Sequence, residues 1–397
     1  MRRWALPLGA AAALVLGGAG LWWLMHHDLR LAFYAALVAA VGLLVAAVLL
    51  WRRGHRRTPT ALVATLVLAL VAIGGFAWNL NATLGELPTV PTPSGWGDGH
   101  PEKETGALNI LLLGADNPTP QEDKPTVAEL LADGTWDVGA YRSDSLMLVH
   151  IAEDRRQASV VSIPRDSYVP IYDAEDNRHE QNKINAAFSS YGPFGTVRTV
   201  EHLTGLHVDH MAIIDFEGFR DLTTAIGGVD VFVPETIVDP QQDVTWPQGW
   251  NHIEGSDALK YVRMRYGFQN GDFDRVARQQ NFLRAVVAKL TDEGTLGDPV
   301  KLRNVLKAVV GFLTVDETWT TGDIRSLGWA LRTLHQEDID YATLPLDHYE
   351  TIDGVGSANI IDAARARELW KAVQGDRLGA YLTKYPDDAL ADEQSVS

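Results

Sequence analysis

Three long apolar runs near the start of the chain constrain its fold more than any other feature. They cover about residues 4–25, 31–51 and 60–80, and none contains an internal charged residue. Each is close to the ~20 apolar residues that a helix needs to cross the hydrocarbon core of a bilayer. A cleaved signal peptide could account for the first run, but the two that follow favour three transmembrane helices over residues 1–80.

The basic residues around these runs predict their orientation. Arg2 and Arg3 precede the first run, the loop at 26–30 is nearly neutral, and the loop at 52–57 is strongly basic. Short cytoplasmic loops of membrane proteins are enriched in Lys and Arg. We therefore expect a protein of the cell membrane with a cytoplasmic N-terminus and an extracytoplasmic part that starts at about residue 81. Because ATP is absent there, any group transfer would need a donor that is already activated.

The charge balance of the outer part argues against nucleic acid as a partner. Residues 1–80 hold seven of the 34 Lys and Arg residues and one of the 51 Asp and Glu residues, so the remainder carries 27 basic and 50 acidic residues. Nucleic-acid binding depends largely on neutralising phosphates with basic side chains. Cysteine is absent, which excludes disulfides, thiolate metal sites and a cysteine nucleophile.

Composition divides the outer part into a Pro- and Gly-rich linker at 81–106, a folded domain at 107–380 and an acidic, flexible tail at 381–397. Short apolar runs predict strands at 108–113, 146–151, 158–163, 210–216, 229–233 and 341–344. Helices are predicted at 195–204, 219–225, 275–290, 298–335 and 358–374. Ser256 is expected to be the N-cap of a further helix, and Asp274 the N-cap of the helix at 275–290. Strands mixed with helices favour a three-layer α/β/α domain.

Charged side chains stand at the ends of three predicted strands. They are, in chain order, Asp116, Arg142, Asp144, Arg165 and Asp166. Ligands bind at strand ends in α/β sheets, so these side chains are expected to converge on one crevice. The set suits phosphoryl transfer, in which arginines and a divalent metal neutralise oxygen charge. Asp116 and Asp144 could hold Mg²⁺ or Mn²⁺, but a surface ion pair of Arg142 with Asp144 would need no ligand.

Four arginines also lie within one short span of this acidic chain, at Arg263, Arg265, Arg275 and Arg278. A guanidinium binds phosphate through two parallel hydrogen bonds and stays charged, so the cluster predicts a site for a compact anion. Four separate, solvated surface arginines are the alternative. Arg275 and Arg278 are three residues apart and share one face of the predicted helix. In contrast, we expect His207 and His210 to be structural residues and not metal ligands.

Six segments, in order, resemble motifs of the LytR-CpsA-Psr (LCP) family, the wall-polymer ligases of mainly Gram-positive bacteria. They are Asn109–Asp116, Tyr141–Val149, Ser162–Ser167, Lys183–Phe188, Asp215–Phe219 with Ile226–Val229, and Tyr261–Arg265 with Asp272–Gln280. Together they cover most of residues 106–290. The three apolar N-terminal runs look like those of actinobacterial members. The resemblance implies an LCP-like three-layer domain outside the membrane.

The resemblance also implies a phosphotransferase activity. LCP proteins take a glycan carried on a polyprenyl diphosphate and transfer the glycan-phosphate to peptidoglycan, with a muramic acid 6-hydroxyl as the expected acceptor. Polyprenyl phosphate is the leaving group. The lipid tail would lie in an apolar tunnel between the sheet and the helices, beside the lipid bilayer. The glycan could be arabinogalactan, a teichoic acid or a capsule-like polymer.

Residue roles follow by matching position in the family motifs. Asp116 and Asp144 would hold Mg²⁺, while Asp166 would order Arg165 or accept the hydroxyl proton. Catalysis would depend on Asp116, Arg142, Asp144, Arg165, Arg263 and Arg265. The diphosphate would be bound by Arg142, Arg165, Lys183, Arg263, Arg265, Arg275, Arg278 and Gln279.

One departure from the family pattern follows Asp116. Family members often have a basic residue shortly after this aspartate, whereas here Asn117-Pro-Thr-Pro follows. The polar segment from there to Gly139 is expected to form a flexible rim loop that shapes acceptor access. Two other functions are compatible with the same motifs. A hydrolase would use water as the acceptor for the lipid diphosphate, and a membrane-bound sensor of wall synthesis would carry out no transfer.

Overall fold

The computed structural model describes residues 82–93, 96–97, 99–103, 105–116, 138–139, 141–264, 272–291, 304–307, 309–310, 313–331 and 334–396. Nearly all of them belong to one unit, formed by Leu84–Thr291 and Asn304–Ser397. The three transmembrane helices predicted over 1–80 lie outside the described residues. Within the described ranges, no helix is both long enough and apolar enough to cross a membrane.

A seven-stranded mixed sheet forms the centre of the domain, with the strand order β1-β12-β7-β2-β3-β4-β13. Its strands are β1 (Thr89–Val90), β2 (Leu108–Asp116), β3 (Arg142–Ile151), β4 (Ala158–Ile163), β7 (His210–Asp215), β12 (Leu313–Asp316) and β13 (Ile339–Thr343). β2 is antiparallel to β3 and parallel to β7, while β4 is antiparallel to β3 and parallel to β13. The carboxyl ends of β2 and β7 therefore lie at the same edge of the sheet.

Four two-stranded ribbons surround the central sheet. They are β5 (Tyr168–Tyr172) with β6 (Arg178–Lys183), β8 (Val229–Val233) with β11 (Gly249–Ile253), β9 (Ile237–Asp239) with β10 (Val244–Trp246), and β14 (Leu346–Ile352) with β15 (Gly356–Ile361). The described helices are α1 (Asn185–Thr204), α2 (Phe216–Ala225), α3 (Gly255–Arg263), α4 (Asp272–Thr291), α5 (Thr321–Leu331), α6 (Ala363–Gln374) and α7 (Leu378–Lys384).

Helices cover both faces of the central sheet. Leu111 and Leu113 of β2 are fully buried in a cluster with side chains of α1, α6 and α7. Ile110 and Leu112, which alternate with them, pack with side chains of α4 and α5. Because successive side chains of a strand point to opposite faces, these two clusters lie on opposite sides of the sheet. The predicted three-layer α/β/α arrangement of the outer domain is confirmed.

A second apolar cluster forms where α2, α3 and α4 meet the ribbon strands β8 to β11. Val229, Ile253, Tyr261 and Phe282 are all at most 1% exposed in it. Burial of a large apolar side chain contributes about 1.5–3 kcal/mol of stability. α4 therefore packs against the central sheet through Leu283 and against this second cluster through Phe282.

Several predicted element boundaries were wrong. β12 lies inside the predicted helical span 298–335, and β15 precedes α6 inside the span 358–374. Short apolar runs do not distinguish a buried strand from a helix, and here strand pairing decides. Ser256 and Asp274 lie within α3 and α4, and neither is an N-cap. At the start of α3 the N–H of Gly255 is satisfied by Thr223 Oγ1 at 2.9 Å, so a tertiary contact provides the cap.

The predicted linker and tail both contain residues that pack onto the domain. Val90, in the linker, is fully buried in β1, which pairs with β12. Tyr381 and Asp388, in the predicted flexible tail 381–397, are buried, and Asp388 accepts hydrogen bonds from Tyr381 Oη and Arg365 Nη2. Acidic composition suggested a solvated tail, but a carboxylate paired with an arginine can be buried. The prediction of a flexible tail was therefore wrong for this segment.

Candidate active site

The β2–β3 pair carries a bulge at the predicted site. Gly114 lies opposite Ser145, and the register then shifts so that Ala115 lies opposite Ser143. Asp144 is therefore the extra residue of β3. Bulges change the direction of side chains and occur often beside active sites. A Cβ at Gly114 would lie 3.0 Å from the Cβ of Ser145, so the glycine permits this close pairing.

Asp144 binds two arginines that come from different elements. Arg165, in the loop after β4, donates a hydrogen bond from Nη1 to Asp144 Oδ1. Arg275, in the first turns of α4, has its Nη1 3.9 Å from Asp144 Oδ2 and donates from Nη2 to the Asp144 carbonyl oxygen at 3.5 Å. The Arg275 side chain is only 3% exposed. A buried guanidinium held in this way is positioned before any ligand arrives.

Asp166 joins Lys183 to the same network. Asp166 Oδ2 lies 3.9 Å from Arg165 Nε, and its Oδ1 lies 3.5 Å from Lys183 Nζ. The N–H of Asn185 donates to the Arg165 carbonyl oxygen at 3.1 Å, which fastens the start of α1 to this loop. The structure thus brings together three cations and two carboxylates of the predicted site. These contacts support the expectation that Asp166 orders Arg165.

The remaining predicted arginines differ in position. Arg142 is exposed, and its backbone lies opposite that of Asp116 across the β2–β3 pair. Arg263 is partly buried at the last position of α3. The side chain of Asp116 and the whole of Arg265 lie outside the described residues, as does most of the rim loop predicted at 117–139. Their roles stay predictions.

Arg278 and Gln279 hold the junction between α3 and α4. The Arg278 guanidinium is fully buried, lies 5.4 Å from the centre of the Tyr261 ring and donates to the Met264 carbonyl oxygen at 3.4 Å. Burial lowers the pKa of Arg278 to about 10, which leaves it charged at neutral pH. Gln279 Nε2 donates to the Val262 carbonyl oxygen at 3.4 Å. As predicted, Arg275 and Arg278 share one face of α4, and that face is buried.

An apolar cavity of about 280 Å³ lies between the sheet and the helices α2 and α4. Its lining includes Leu112, Met147, Leu222, Phe282, Val286 and Leu290. Gly114, Ser145 and Gln279 also line it, and Ser145 directly follows Asp144 in the chain. The cavity therefore reaches the residues beside the charged network. It lies where the resemblance implied an apolar tunnel.

The arginines of α4 were predicted as site residues from the sequence, but its apolar face was not. Phe282, Val286 and Leu290 recur every four residues, which places them on one side of a helix. That spacing was a usable signal. It does not distinguish a face that lines a cavity from a face that fills a core, because both are apolar and buried.

The divalent metal predicted at this site can be compared with the residues present. Mg²⁺ prefers hard oxygen ligands, often one or two carboxylates completed by substrate phosphates and water. Asp144 supplies one carboxylate, 11% exposed, and the backbone of Asp116 lies at the same end of the β2–β3 pair. These residues fit such an ion, provided that Arg165 shares the Asp144 carboxylate with it.

Comparison with known proteins identifies the family. The profile of the LytR_cpsA_psr family matches residues 90–375, a span that includes the charged network and the cavity. The chain belongs to the LytR_cpsA_psr family. Among its relatives is the cell wall biosynthesis protein LcpA of Corynebacterium glutamicum, 30% identical over 376 residues that cover 86% of this chain and 68% of LcpA.

Other LytR_cpsA_psr relatives have names that state an activity. TagU of Bacillus anthracis (strain CDC 684 / NRRL 3495) is named a polyisoprenyl-teichoic acid–peptidoglycan teichoic acid transferase. It is 29% identical over 308 residues, which cover 75% of this chain and 91% of TagU. The crystal structure of B. subtilis TagV superposes with a TM-score of 0.55 at 25% identity, covering 70% of this chain and 99% of that chain. The mixed α/β fold described above is therefore shared with this relative.

Proposed function

We propose that this protein transfers a glycan-phosphate from a polyprenyl diphosphate carrier to peptidoglycan. The observation that carries the proposal is the position of the apolar cavity directly beside the network of Asp144, Arg165 and Arg275. A polyprenyl diphosphate has matching parts, because a long apolar chain is joined to a compact group with several negative charges. The name of TagU, a polyisoprenyl-teichoic acid–peptidoglycan teichoic acid transferase, supports a substrate of this class, and the name of LcpA supports a role in cell wall biosynthesis.

The proposed reaction is a displacement at phosphorus. A hydroxyl of the acceptor attacks the phosphorus that carries the glycan, and the bond from that phosphorus to the bridging oxygen of the diphosphate breaks. Polyprenyl monophosphate leaves, and a phosphodiester joins the glycan to the acceptor. The hydroxyl proton passes to a base, for which Asp166 is the proposed candidate because it lies at the edge of the network and is 23% exposed.

The arginines would bind the diphosphate oxygens as negative charge moves to the leaving group. Arg165 and Arg275 are already fixed by Asp144, so little reorganisation is needed when the transition state forms. Arg142 and Lys183, at strand ends, and Arg263, at the end of α3, would complete the site. A Mg²⁺ ion held by Asp144 and Asp116 would supply further neutralisation of phosphate charge.

The predicted membrane helices at 1–80 would hold the domain at the bilayer surface. A polyprenyl carrier does not leave the membrane, so an enzyme that uses it has to act there. We propose the extracytoplasmic side of the cell membrane as the location, in a Gram-positive and actinobacterial setting. The donor glycan is proposed only as a cell-wall polymer, because the site chemistry recognises the diphosphate and not the sugar.

The test uses the purified full chain, Mg²⁺ and synthetic polyprenyl-diphosphate-linked oligosaccharides of several types, with and without peptidoglycan fragments. Mass spectrometry follows polyprenyl monophosphate and the glycan-phosphate-peptidoglycan product. We expect both to appear together, and only with the acceptor present. Release of polyprenyl monophosphate without the acceptor would instead identify a hydrolase. Absence of release from every donor would favour a sensor.

A further inference from the structure

A cluster of three metal-ligating side chains lies at the other end of the domain from the candidate active site. His100, Glu201 and His207 each offer one ligand atom, and these atoms all lie within 4.8 Å of one another. Glu201 belongs to the last turn of α1, and His207 to the loop before β7. Gly205, with φ of 72°, turns the chain back between them and donates its N–H to the Glu201 carbonyl oxygen.

Glu201 is the centre of the cluster and is only 2% exposed. Its two oxygens lie 2.8 and 2.9 Å from His100 Nδ1. Its Oε1 accepts a hydrogen bond from the Val208 N–H at 2.9 Å, and its Oε2 lies 3.5 Å from Arg198 Nη1. A buried carboxylate needs such partners, and it also offers a strong oxygen ligand to a cation.

The hydrogen bond of His100 Nε2 determines the protonation of the ring and leaves Nδ1 as the nitrogen that can bind a metal. His100 Nε2 lies 2.6 Å from the Trp96 carbonyl oxygen, which can only accept, so Nε2 carries the proton of this hydrogen bond. In a neutral imidazole, Nδ1 then presents a lone pair to the carboxylate. Two acceptors at 2.8 Å repel each other unless a proton or a metal ion lies between them. Metal-bound histidines commonly donate their other nitrogen to a carbonyl in this way.

The environment of His207 favours a metal ion, and not only a proton, between His100 and Glu201. Its Nδ1 is buried without a hydrogen-bond partner and lies 4.0 Å from Glu201 Oε1. A doubly protonated His100 would satisfy Glu201 but would leave this nitrogen unexplained. The loop that carries His207 is held in place, because the His207 carbonyl oxygen accepts a hydrogen bond from Asn109 Nδ2 at 2.7 Å. The second ring nitrogen, Nε2, lies 3.9 Å from Asp209 Oδ1.

We infer that His100, Glu201 and His207 form a Zn²⁺ site, which makes His207 a metal ligand and not the structural residue expected from the sequence. Two imidazole nitrogens and one carboxylate oxygen are a common zinc ligand set, with bonds of about 2.0–2.2 Å. Two ligands of a tetrahedral zinc ion are then about 3.4 Å apart, and the measured separations of 2.8 and 4.0 Å lie on either side of this value. His207 is 26% exposed, so a water molecule has access to the fourth position.

The site joins three segments at the amino-terminal ends of β2 and β7. His100 lies in the segment before β2, Glu201 in α1, and His207 just before β7. The candidate active site lies at the carboxyl end of β2, where Asp116 pairs with Arg142. Zinc at this cluster would therefore fasten the segment around residue 100 to the domain, and it would not contact the diphosphate.

Metal analysis of the purified full chain tests this inference. The affinity tag is removed, the protein is dialysed against metal-free buffer, and zinc is titrated in competition with a chromogenic chelator. We expect one zinc ion per chain and a rise in the unfolding temperature on zinc addition. We expect His207→Gln to weaken zinc binding by at least about 100-fold. Cobalt added in place of zinc should give the visible absorption bands of a four-coordinate ion in the wild type but not in His207→Gln.

The matched control is His252→Gln, since His252 is a 54% exposed histidine that pairs with Asp230 at 2.8 Å. It should bind zinc as the wild type does. In the presence of a chelator, His207→Gln should unfold at nearly the same temperature as the wild type, because it removes a ligand and no hydrogen bond of Nδ1. Zinc binding that is absent from the wild type, or equal in the wild type and His207→Gln, would overturn the inference.

Discussion

Arg165 and Asp144 form an ion pair across 21 positions of sequence, at the edge of the central sheet where β2 and β4 end. Arg275 reaches the same carboxylate from α4. One acidic side chain therefore fixes two guanidinium groups that would otherwise repel each other. The arrangement concentrates positive charge in an acidic domain. A diphosphate would bind there to arginines that are already in position.

Replacement of Arg165 tests whether the shape of the guanidinium matters in addition to its charge. Arg165→Ala should remove about 2–4 kcal/mol of transition-state stabilisation, a loss of about 30- to 900-fold in kcat/KM. Arg165→Lys keeps the charge but loses the planar fork, so its activity should lie between the alanine variant and the wild type. Steady-state rates with a polyprenyl diphosphate donor measure this. Wild-type activity of the lysine variant would mean that charge alone suffices.

A larger side chain in the cavity should discriminate between donors by their lipid length. Val287 lines the cavity and is only partly buried, so Val287→Phe can fill the space with limited strain. We expect KM for a long-chain donor to rise by about tenfold or more, which corresponds to about 1.4 kcal/mol of lost binding, while a short-chain donor is little affected. Val287→Ile is the matched control. An equal effect on both donors would place the lipid elsewhere.

The contacts of Asp388 should contribute measurably to stability. Asp388→Ala leaves Arg365 Nη2 and Tyr381 Oη without their shared acceptor, so the free energy of unfolding should fall by about 1–3 kcal/mol. Asp387→Ala, one residue earlier and exposed, is the control and should change it by less than about 0.5 kcal/mol. Chemical unfolding of the two variants gives the comparison. Equal free energies of unfolding for the two variants would mean that the hydrogen bonds of Asp388 do not contribute to stability.

Asp316 should make stability depend on pH in the acid range. Burial alone would raise its pKa, but hydrogen bonds with His210 and Thr318 and from the Met211 N–H lower it overall. A carboxyl group with a lowered folded-state pKa stabilises the fold above its unfolded pKa, about 3.9, and this contribution is lost as the pH falls through the folded-state pKa.

Asp316→Asn should therefore lower the free energy of unfolding by about 1–3 kcal/mol at neutral pH. The difference from the wild type should shrink as the pH falls below about 4. Urea unfolding of both proteins across this pH range is the measurement. A difference that stays constant with pH would show that the ionised carboxylate is not the stabilising form.

Sequence patterns predicted the sheet better than the segments around it. The strands at 108–113, 146–151 and 158–163 are continuous apolar runs, and each forms a central strand. β12, in contrast, has only four residues and depends on its pairing with β7 and β1. Such a strand is specified by tertiary contacts, which the local sequence does not contain. The proximity of His207 to Glu201 shows the same limit. It depends on the turn at Gly205, and the local sequence does not specify where that turn places His207.

The site was predicted as a set of residue types but not as a network. Strand-end position predicted that Asp116, Arg142, Asp144, Arg165 and Asp166 would converge, and the structure shows contacts among Asp144, Arg165 and Asp166. The bulge that places Asp144 between two arginines was not predictable, because one extra residue in a strand leaves no clear mark in the sequence. Arg278 illustrates the opposite case. It was assigned to the diphosphate by matching position in the family motifs, and the structure gives it contacts with Tyr261 and Met264, so its role at the diphosphate stays a prediction.

The most direct test of the proposed function compares Arg275→Ala with Arg367→Ala in the transfer assay. Arg275 is buried against Asp144 beside the cavity, whereas Arg367 is exposed on α6. If the network binds the diphosphate, Arg275→Ala should lower kcat/KM by about 30- to 900-fold, and Arg367→Ala should retain wild-type activity. A folded Arg275→Ala protein that transfers glycan-phosphate at the wild-type rate would contradict the assignment of this network as the active site.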